Sequence, residues 1–436
     1  MENTLFDQGD IRKTYLKLAS PVVIGMVITI VYNITDTFFI ARTQNVDLVA
    51  GVSLCGPVFT ILMAFGNIFG QGGSSLLSRL LGQGDTENVK RVSSFSFYFS
   101  LLFGVAAGLL MLLLETPILT ALGCDPQTFG HARDYYRVMA IGAPFVVENF
   151  IHMNLLRCEG KSLEAMVGTV SGAVINIILD PILISGMNMG ARGAAIASVL
   201  GYIFSDLYLL YIAVRKSQIL SVNPGYIRIS RQHLGQIFAV GTSAAVNNWM
   251  TSLCLIATNH FLLTYGNNKI AAMGIAQKIS SIILLVIVGF SYGGAPLIGY
   301  FYGAGNKTRL RELLHFMFLF TGGLAAGMTL IILALAGPAL RLFMQDPAVI
   351  AEGTIMLRLQ VLTMVLAAIL LVIQVYFQAA GKAGRAMVLS LSRQGLIFLA
   401  VIFIFSSLFG YMGVLWSQAG ADVISVCLAL WLFRQE

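Results

Sequence analysis

Charge is what this sequence has least of. Only 11% of its 436 residues are Asp, Glu, Lys or Arg, while 57% are hydrophobic and mean hydropathy is +0.82. A soluble protein carries about a quarter charged residues, so a water-covered surface over this length is excluded. Histidine is also scarce, with five scattered residues. No HExxH and no Ser/His/Asp pattern stands out, which leaves no metal site or hydrolase triad to argue for. The five cysteines, Cys55, Cys124, Cys158, Cys254 and Cys427, form no CxxC and no ligand spacing. They read as packing residues rather than a disulfide framework. A phosphate loop is missing as well: the nearest stretch, GAGNKT at 303–308, has Asn306 where glycine must precede the lysine. These absences argue against an ATPase, an enzyme or a bound cofactor. No polar stretch is long enough for a soluble domain. No cleavable signal peptide shows either, because MENTLFDQGDIRKTYLKLA is polar and leads straight into a full-length apolar span.

What remains is apolar sequence in lengths that cross a bilayer, which takes roughly 20 residues. Twelve spans are expected near 15–40, 47–78, 93–114, 133–157, 165–186, 192–214, 235–264, 270–301, 313–336, 354–377, 386–407 and 411–433. The fold class is therefore an all-α membrane protein in a lipid bilayer. Of the 27 Lys and Arg, 18 fall at one set of span ends and five (Arg42, Arg133, Arg192, Lys269, Arg341) at the other. Positive charge stays on the cytoplasmic side, which predicts both termini in the cytoplasm. The net charge of +7 is then a matter of topology and not of nucleic-acid binding.

The chain also repeats itself. GQGD at 82–85 matches GAGN at 303–306, and Cys124-Asp125-Pro126 matches Gln345-Asp346-Pro347. Arg137 matches Arg358, Gly160-Lys161 matches Gly381-Lys382, and Ala165-Met166 matches Ala386-Met387, always 221 residues apart. A constant offset implies two six-helix halves. An even number of spans makes the repeat parallel, about an axis along the membrane normal. The expected division is 1–214 for the first lobe, 215–234 for a basic cytoplasmic linker, and 235–436 for the second lobe.

Polar residues inside the spans carry the functional argument. A carboxylate at a helix centre costs roughly 2.5–3.5 kcal/mol on insertion scales, so each must pair, be protonated or face a cavity. Asp36 on the first span and Asp180 on the fifth both fall in the outer half of the membrane. Asn176 lies one helical turn before Asp180 on the same face, and Ser198 on the sixth span shares their depth. Four oxygen-bearing side chains at one level make a site for Na+ or for H+. Pro181 behind Asp180 removes a backbone hydrogen bond and frees the carbonyl of Ile177. Pro21 would let the first helix bend, or is a static kink.

Other ionisable residues are candidate secondary polar positions. Asp206 reads as a second polar station or as the partner of a basic residue near the rim. Glu148 and His152, four residues apart, read as a polar pair. Asp422 stands alone on the last span. In the second half the equivalents of Asp36 and Asp180 are Ala257 and Val401, so His260, Lys278 and Arg393 are the ionisable residues nearest to that role. The 28 phenylalanines and 18 methionines mostly pack helices or face lipid, yet they also suit a cavity that accepts many apolar shapes.

Together the Pro21-to-Asp36 first helix, NIILDP at 176–181, GARGAAIAS at 190–198, the two glycine-rich turns and the six-plus-six layout resemble the bacterial MATE (multidrug and toxic compound extrusion) family. The resemblance covers almost the whole chain. It implies two six-helix lobes around a cleft of alternating opening, and export of organic cations and other amphiphilic drugs against H+ or Na+. It implies that Asp36, Asn176, Asp180 and Ser198 match the first-lobe coupling cluster, with Ser198 where many members have Thr. Some members hold acidic cation ligands in the second lobe, on its first and fourth helices; 235–264 and 354–377 contain none, so coupling is expected in the first lobe alone. The expected setting is a bacterial inner membrane, with the chain acting as a monomer. Two other readings stand beside this one. A flippase for a lipid-linked saccharide would need cavity cations such as Lys278 and Arg393. A non-transporting receptor or structural subunit would leave the repeat and the buried carboxylates without a purpose.

Overall fold

The computed structural model describes Phe6, residues 9–341 and residues 346–436; Gln345, one of the repeat landmarks, lies outside them. The described residues form helices joined by short turns, with no strand among them. In lipid this is forced: a backbone without water must satisfy its own hydrogen bonds. The first half runs through α1 (Ile11–Arg42), α2 (Val46–Leu54), α3 (Gly56–Gly82), α4 (Thr86–Leu113), α5 (Glu115–Ala121), α6 (Phe129–Cys158), α7 (Ser162–Asp180) and α8 (Gly190–Arg215). The second runs through α9 (Arg231–Leu263), α10 (Asn267–Gly293), α11 (Ala295–Gly303), α12 (Lys307–Arg341), α13 (Pro347–Leu362), α14 (Met364–Ala379), α15 (Ala383–Leu391) and α16 (Ile397–Arg434).

Among the described residues, nine stretches are long and apolar enough to cross a membrane, and the bent pair α13–α14, at 41°, makes a tenth. The stretch Ala383–Arg434 is 52 residues long, about twice one crossing of a bilayer. Its backbone breaks at Gly410, at φ 58° and ψ −131°, and so makes two passes. Helix α9 is 33 residues long and adds the remaining pass, with Asn247, Asn248 and His260 lowering its hydropathy. This is the six-plus-six arrangement expected from the repeat.

The repeat extends to backbone geometry. Gly84 and Gly305, in the two glycine-rich turns, both adopt positive φ, at 74° and 67°. Gly160 and Gly381 do the same, at 86° and 76°. Helix capping repeats too. Asp85 Oδ1 accepts from the Asn88 amide at 3.1 Å, and Asn306 Oδ1 accepts from the Arg309 amide at 3.1 Å. The Asn88 side chain also donates to Asp85 at 2.6 Å. These hydrogen bonds hold the Asp85 carboxyl below its usual range.

By internal packing the chain forms two units, one of residues Ile24–Gly241 and one of Met1–Val23 with Thr242–Glu436. Their limits fall inside α1 and α9, two residues past Pro21 in the first case. Helix α1 itself runs through Pro21 without interruption. Within the second unit, the start of α1 is anchored by Tyr15, whose hydroxyl donates to the Phe290 carbonyl at 2.9 Å. A Cβ on Gly293 would lie 2.5 Å from the Ala19 Cα, so helix and helix touch there backbone to backbone.

Within the first unit, residues 215–241 are held closely. Ser94 Oγ and Tyr98 Oη donate to the Ser221 and Val222 carbonyls at 2.8 and 2.9 Å. The start of α9 crosses α3 through paired glycines: a Cβ on Gly241 would sit 2.0 Å from the Ile68 carbonyl, and one on Gly72 2.1 Å from that of Ile237. Backbone cannot yield as a side chain does. Gly241→Ala is therefore expected to destabilise by about 1–3 kcal/mol, read as a lower melting temperature of the purified protein. Gly235→Ala, which meets nothing within 4 Å, is the neutral control on the same helix.

Candidate functional site

Asp180 ends α7, and Pro181 opens a π-helical stretch, Pro181–Gly186. A proline has no amide hydrogen, so the regular α pattern cannot continue through it; the wider turn is how this helix absorbs the loss. Asp180 is 0% exposed, Asn176 2% and Ser198 5%. Asn176 Nδ2 donates to Ser198 Oγ at 3.2 Å, and Ser198 Oγ also meets Tyr32 Oη at 3.2 Å. Tyr32 lies one turn before Asp36 on α1. Asp36 bears on both Tyr32 and Asp180 electrostatically, which ties α1, α7 and α8 into one cluster in the first unit.

The chemistry of this cluster lies in what it lacks. Asp36 Oδ1, Asn176 Oδ1 and both carboxylate oxygens of Asp180 are buried without a hydrogen-bond donor. A buried acceptor left unpaired costs about 1–3 kcal/mol, more when it is charged. Four such oxygens, two carboxylates among them, are an arrangement for a small cation or a proton.

Tyr32 is the member that reading the sequence missed. An aromatic in a membrane span reads first as packing, but its spacing of four from Asp36 was the available signal. The secondary candidates are placed as follows. His152 Nδ1 lies 2.6 Å from Glu148 Oε1, so these two do form a pair. Asp206 takes the amide of Asn149 at 2.8 Å and has no basic partner among the described residues. His260 and Lys278 are exposed positions of the second unit and belong to no buried cluster. Asp422 does not stand alone: it accepts from Arg393 Nε at 2.8 Å, Thr363 Oγ1 at 2.6 Å and Gln418 Nε2 at 2.9 Å. Single-span reading could not find these partners, which come from other helices or from a face shared across one turn. Val401 and Ala419, the repeat equivalents of Asp180 and Ser198, are buried apolar residues, so the second unit has no counterpart of the cluster at those positions.

Comparison with known proteins agrees with this architecture. The MatE family profile matches residues 21–182 and 243–409. The multidrug export protein MepA of Staphylococcus haemolyticus is 31% identical over 427 residues, covering 98% of this chain and 94% of that protein. MepA of Staphylococcus aureus (strain N315) is 31% identical over 438 residues, with 99% and 96% covered. A crystal structure of MATE in complex with MaD3S superposes with a TM-score of 0.92 at 26% identity, covering 98% of this chain and 96% of that one. Another, in complex with MaL6, gives 0.93 at 24% identity, with 99% and 97% covered. A two-segment profile match, one segment in each half, and relatives matched over nearly their whole length leave one conclusion: the chain belongs to the MATE family of multi-pass membrane transporters, not to a family of enzymes.

Proposed function

We propose that this protein is a secondary multidrug exporter that expels amphiphilic organic cations in exchange for H+ or Na+, coupled through Asp36, Asn176, Asp180 and Ser198. The observation that carries the reading is the set of four buried acceptor oxygens without a donor. Without a cation, Asp36 and Asp180 repel each other across α1 and α7. A bound cation removes that repulsion and favours the arrangement that holds the two helices together. An ion gradient does work only if ion and drug favour different states, and α1 is the element that both would bias. Pro181 gives α7 the irregular backbone that such a change needs, and Pro21 leaves α1 one backbone hydrogen bond short. No cofactor takes part. The setting is the inner membrane, with both termini in the cytoplasm, and a single chain suffices.

The flippase reading has lost its better cation, because Arg393 is neutralised by Asp422. Ethidium transport into liposomes holding the purified protein separates the readings. Transport driven by an imposed Na+ or pH gradient, and lost when that gradient is collapsed, is the expected result, and the gradient that works identifies the coupling ion. No gradient-driven transport of ethidium or of other lipophilic cations by folded protein would overturn the proposal.

Ser198 gives a graded test. Its hydroxyl serves both Asn176 and Tyr32. Ser198→Ala is expected to raise the ion concentration for half-maximal export by about tenfold, the effect of losing about 1.4 kcal/mol. Ser198→Thr keeps the hydroxyl and is expected to stay near wild type.

A further inference from the structure

A second buried polar cluster lies in the same unit, and the coupling reading leaves it unused. Its ionisable members are Glu148 and His152 on α6 and Asp206 on α8, at 5%, 2% and 9% exposure. Ser100 on α4 donates to Glu148 Oε2 at 2.6 Å. Asn149 donates to Asp206 Oδ1 at 2.8 Å and to Ser205 Oγ at 2.7 Å. The Phe97 ring packs against the His152 ring, at 5.4 Å between centroids. The two carboxylates act on each other electrostatically. No lysine or arginine pairs with either of them among the described residues. Asp206 Oδ2 and His152 Nε2 are buried without any partner.

We propose that Glu148, His152 and Asp206 form a second cation-holding site, one that takes protons and not metal ions. The geometry argues this in three steps. His152 Nδ1 approaches Glu148 Oε1 to 2.6 Å, a distance at which one of the two must carry a proton, and a neutral imidazole supplies one. With Glu148 and Asp206 both ionised and that one proton on the imidazole, the cluster carries two negative charges in a region without a counter-ion. Burial makes such charge expensive, and a proton on each carboxyl group removes it. The site thus alternates between two negative charges and none, gaining and losing two protons, with no other reactant. A metal ion is disfavoured because Asn149 turns its N–H groups toward Asp206 and the imidazole faces Glu148. The Asp36–Asp180 cluster is the opposite case, where every unpaired atom is an acceptor oxygen.

The two clusters are stacked along α8, and Tyr202 stands between them. It lies one turn from Ser198 and one turn from Asp206, and it is influenced by Tyr32 and Asp36 on one side and Asp206 on the other. The stacking depends on a close crossing of α7 and α8: a Cβ on Gly172 would lie 2.5 Å from the Gly201 carbonyl, and one on Gly201 2.7 Å from that of Gly172.

Infrared difference spectroscopy on the full-length protein in lipid nanodiscs tests the site without any transport. Acidification from about pH 8 to about pH 5, the range in which histidine titrates, is expected to raise a protonated-carboxyl band in the wild type. Part of that band should vanish in E148Q and part in D206N. The same parts should persist when Asp36 and Asp180 are both replaced by Asn, and should not respond to Na+. Full band amplitude in the E148Q/D206N double variant would overturn the proposal, and so would displacement of these components by Na+. Should either variant fail to fold, S100A removes only the hydroxyl donor to Glu148. It is expected to shift the frequency of the Glu148 component, and an unchanged frequency would count against the site. Failure of drug export would leave all these readings intact, so the two proposals fall separately.

Discussion

Asp180→Asn is expected to end cation-driven export while leaving the protein at least as stable as the wild type. The wild-type carboxylate is 0% exposed and neither oxygen has a donor. It faces Asp36, whose Oδ1 lacks a donor too. Asparagine has nearly the same shape but replaces one acceptor with an N–H pair. Those hydrogens bring a donor to a cluster in which Asp36 Oδ1 and Asn176 Oδ1 lack one. A hydrogen bond to a neutral partner contributes about 1 kcal/mol and one to a charged partner about 1.5–3 kcal/mol, so the amide fills the role of the cation permanently. Folding gains what coupling loses, a common relation at sites that store unfavourable contacts. Drug efflux from cells should fall about tenfold or more, since a coupling free energy of 1–3 kcal/mol disappears. The melting temperature of the purified protein should hold or rise. Asp36→Asn acts from the other side of the pair and should match it in efflux. Normal export by both variants would remove this cluster from the mechanism.

The position of this cluster could be read from the chain because its members obey local rules. Asn176 and Asp180 are one turn apart, Pro181 marks the break behind them, and depth along each span follows from charge at the ends. The six-plus-six layout was legible for a similar reason: an offset of 221 residues is a one-dimensional signal, and the same offset recurs in Gly84 and Gly305. What was not legible depends on which faces of distant helices meet. Nothing in the sequence joins Asn149 to Asp206, 57 residues on. Nothing pairs Arg393 with Asp422, and each was read singly. The limits of the packed units, inside α1 and α9, were likewise invisible, because a continuous apolar helix carries no mark where its packing partners change.

Asp422→Ala is expected to be the most destabilising change in the second unit. One carboxylate, 1% exposed, holds three groups: Arg393 in the π-helical stretch Ser392–Leu396, Thr363 at the bend between α13 and α14, and Gln418 one turn away. Irregular backbone at membrane depth survives only where the surrounding protein satisfies it, and Asp422 ties together two such places. The repeat sharpens the point. Positions 393 and 422 correspond, at the offset of 221, to Gly172 and Gly201 of the first unit. There the crossing closes backbone to backbone; here it is held apart and filled by an ion pair. Removing Asp422 leaves a guanidinium 9% exposed without its counter-ion, a cost of about 3–5 kcal/mol. Arginine cannot escape by losing its proton. Arg393→Met should be milder, because the Asp422 carboxyl keeps Thr363 and Gln418. The double change R393M/D422L removes both charges and fills the space with apolar atoms, so it should recover most of the loss or exceed the wild type. Thermal unfolding of the three purified variants orders them. Ethidium efflux by the double variant then decides what the pair is for. Retained efflux makes it a packing device of the second unit, whereas lost efflux from a stable double variant would mean that this half of the repeat also carries charge through the transport cycle.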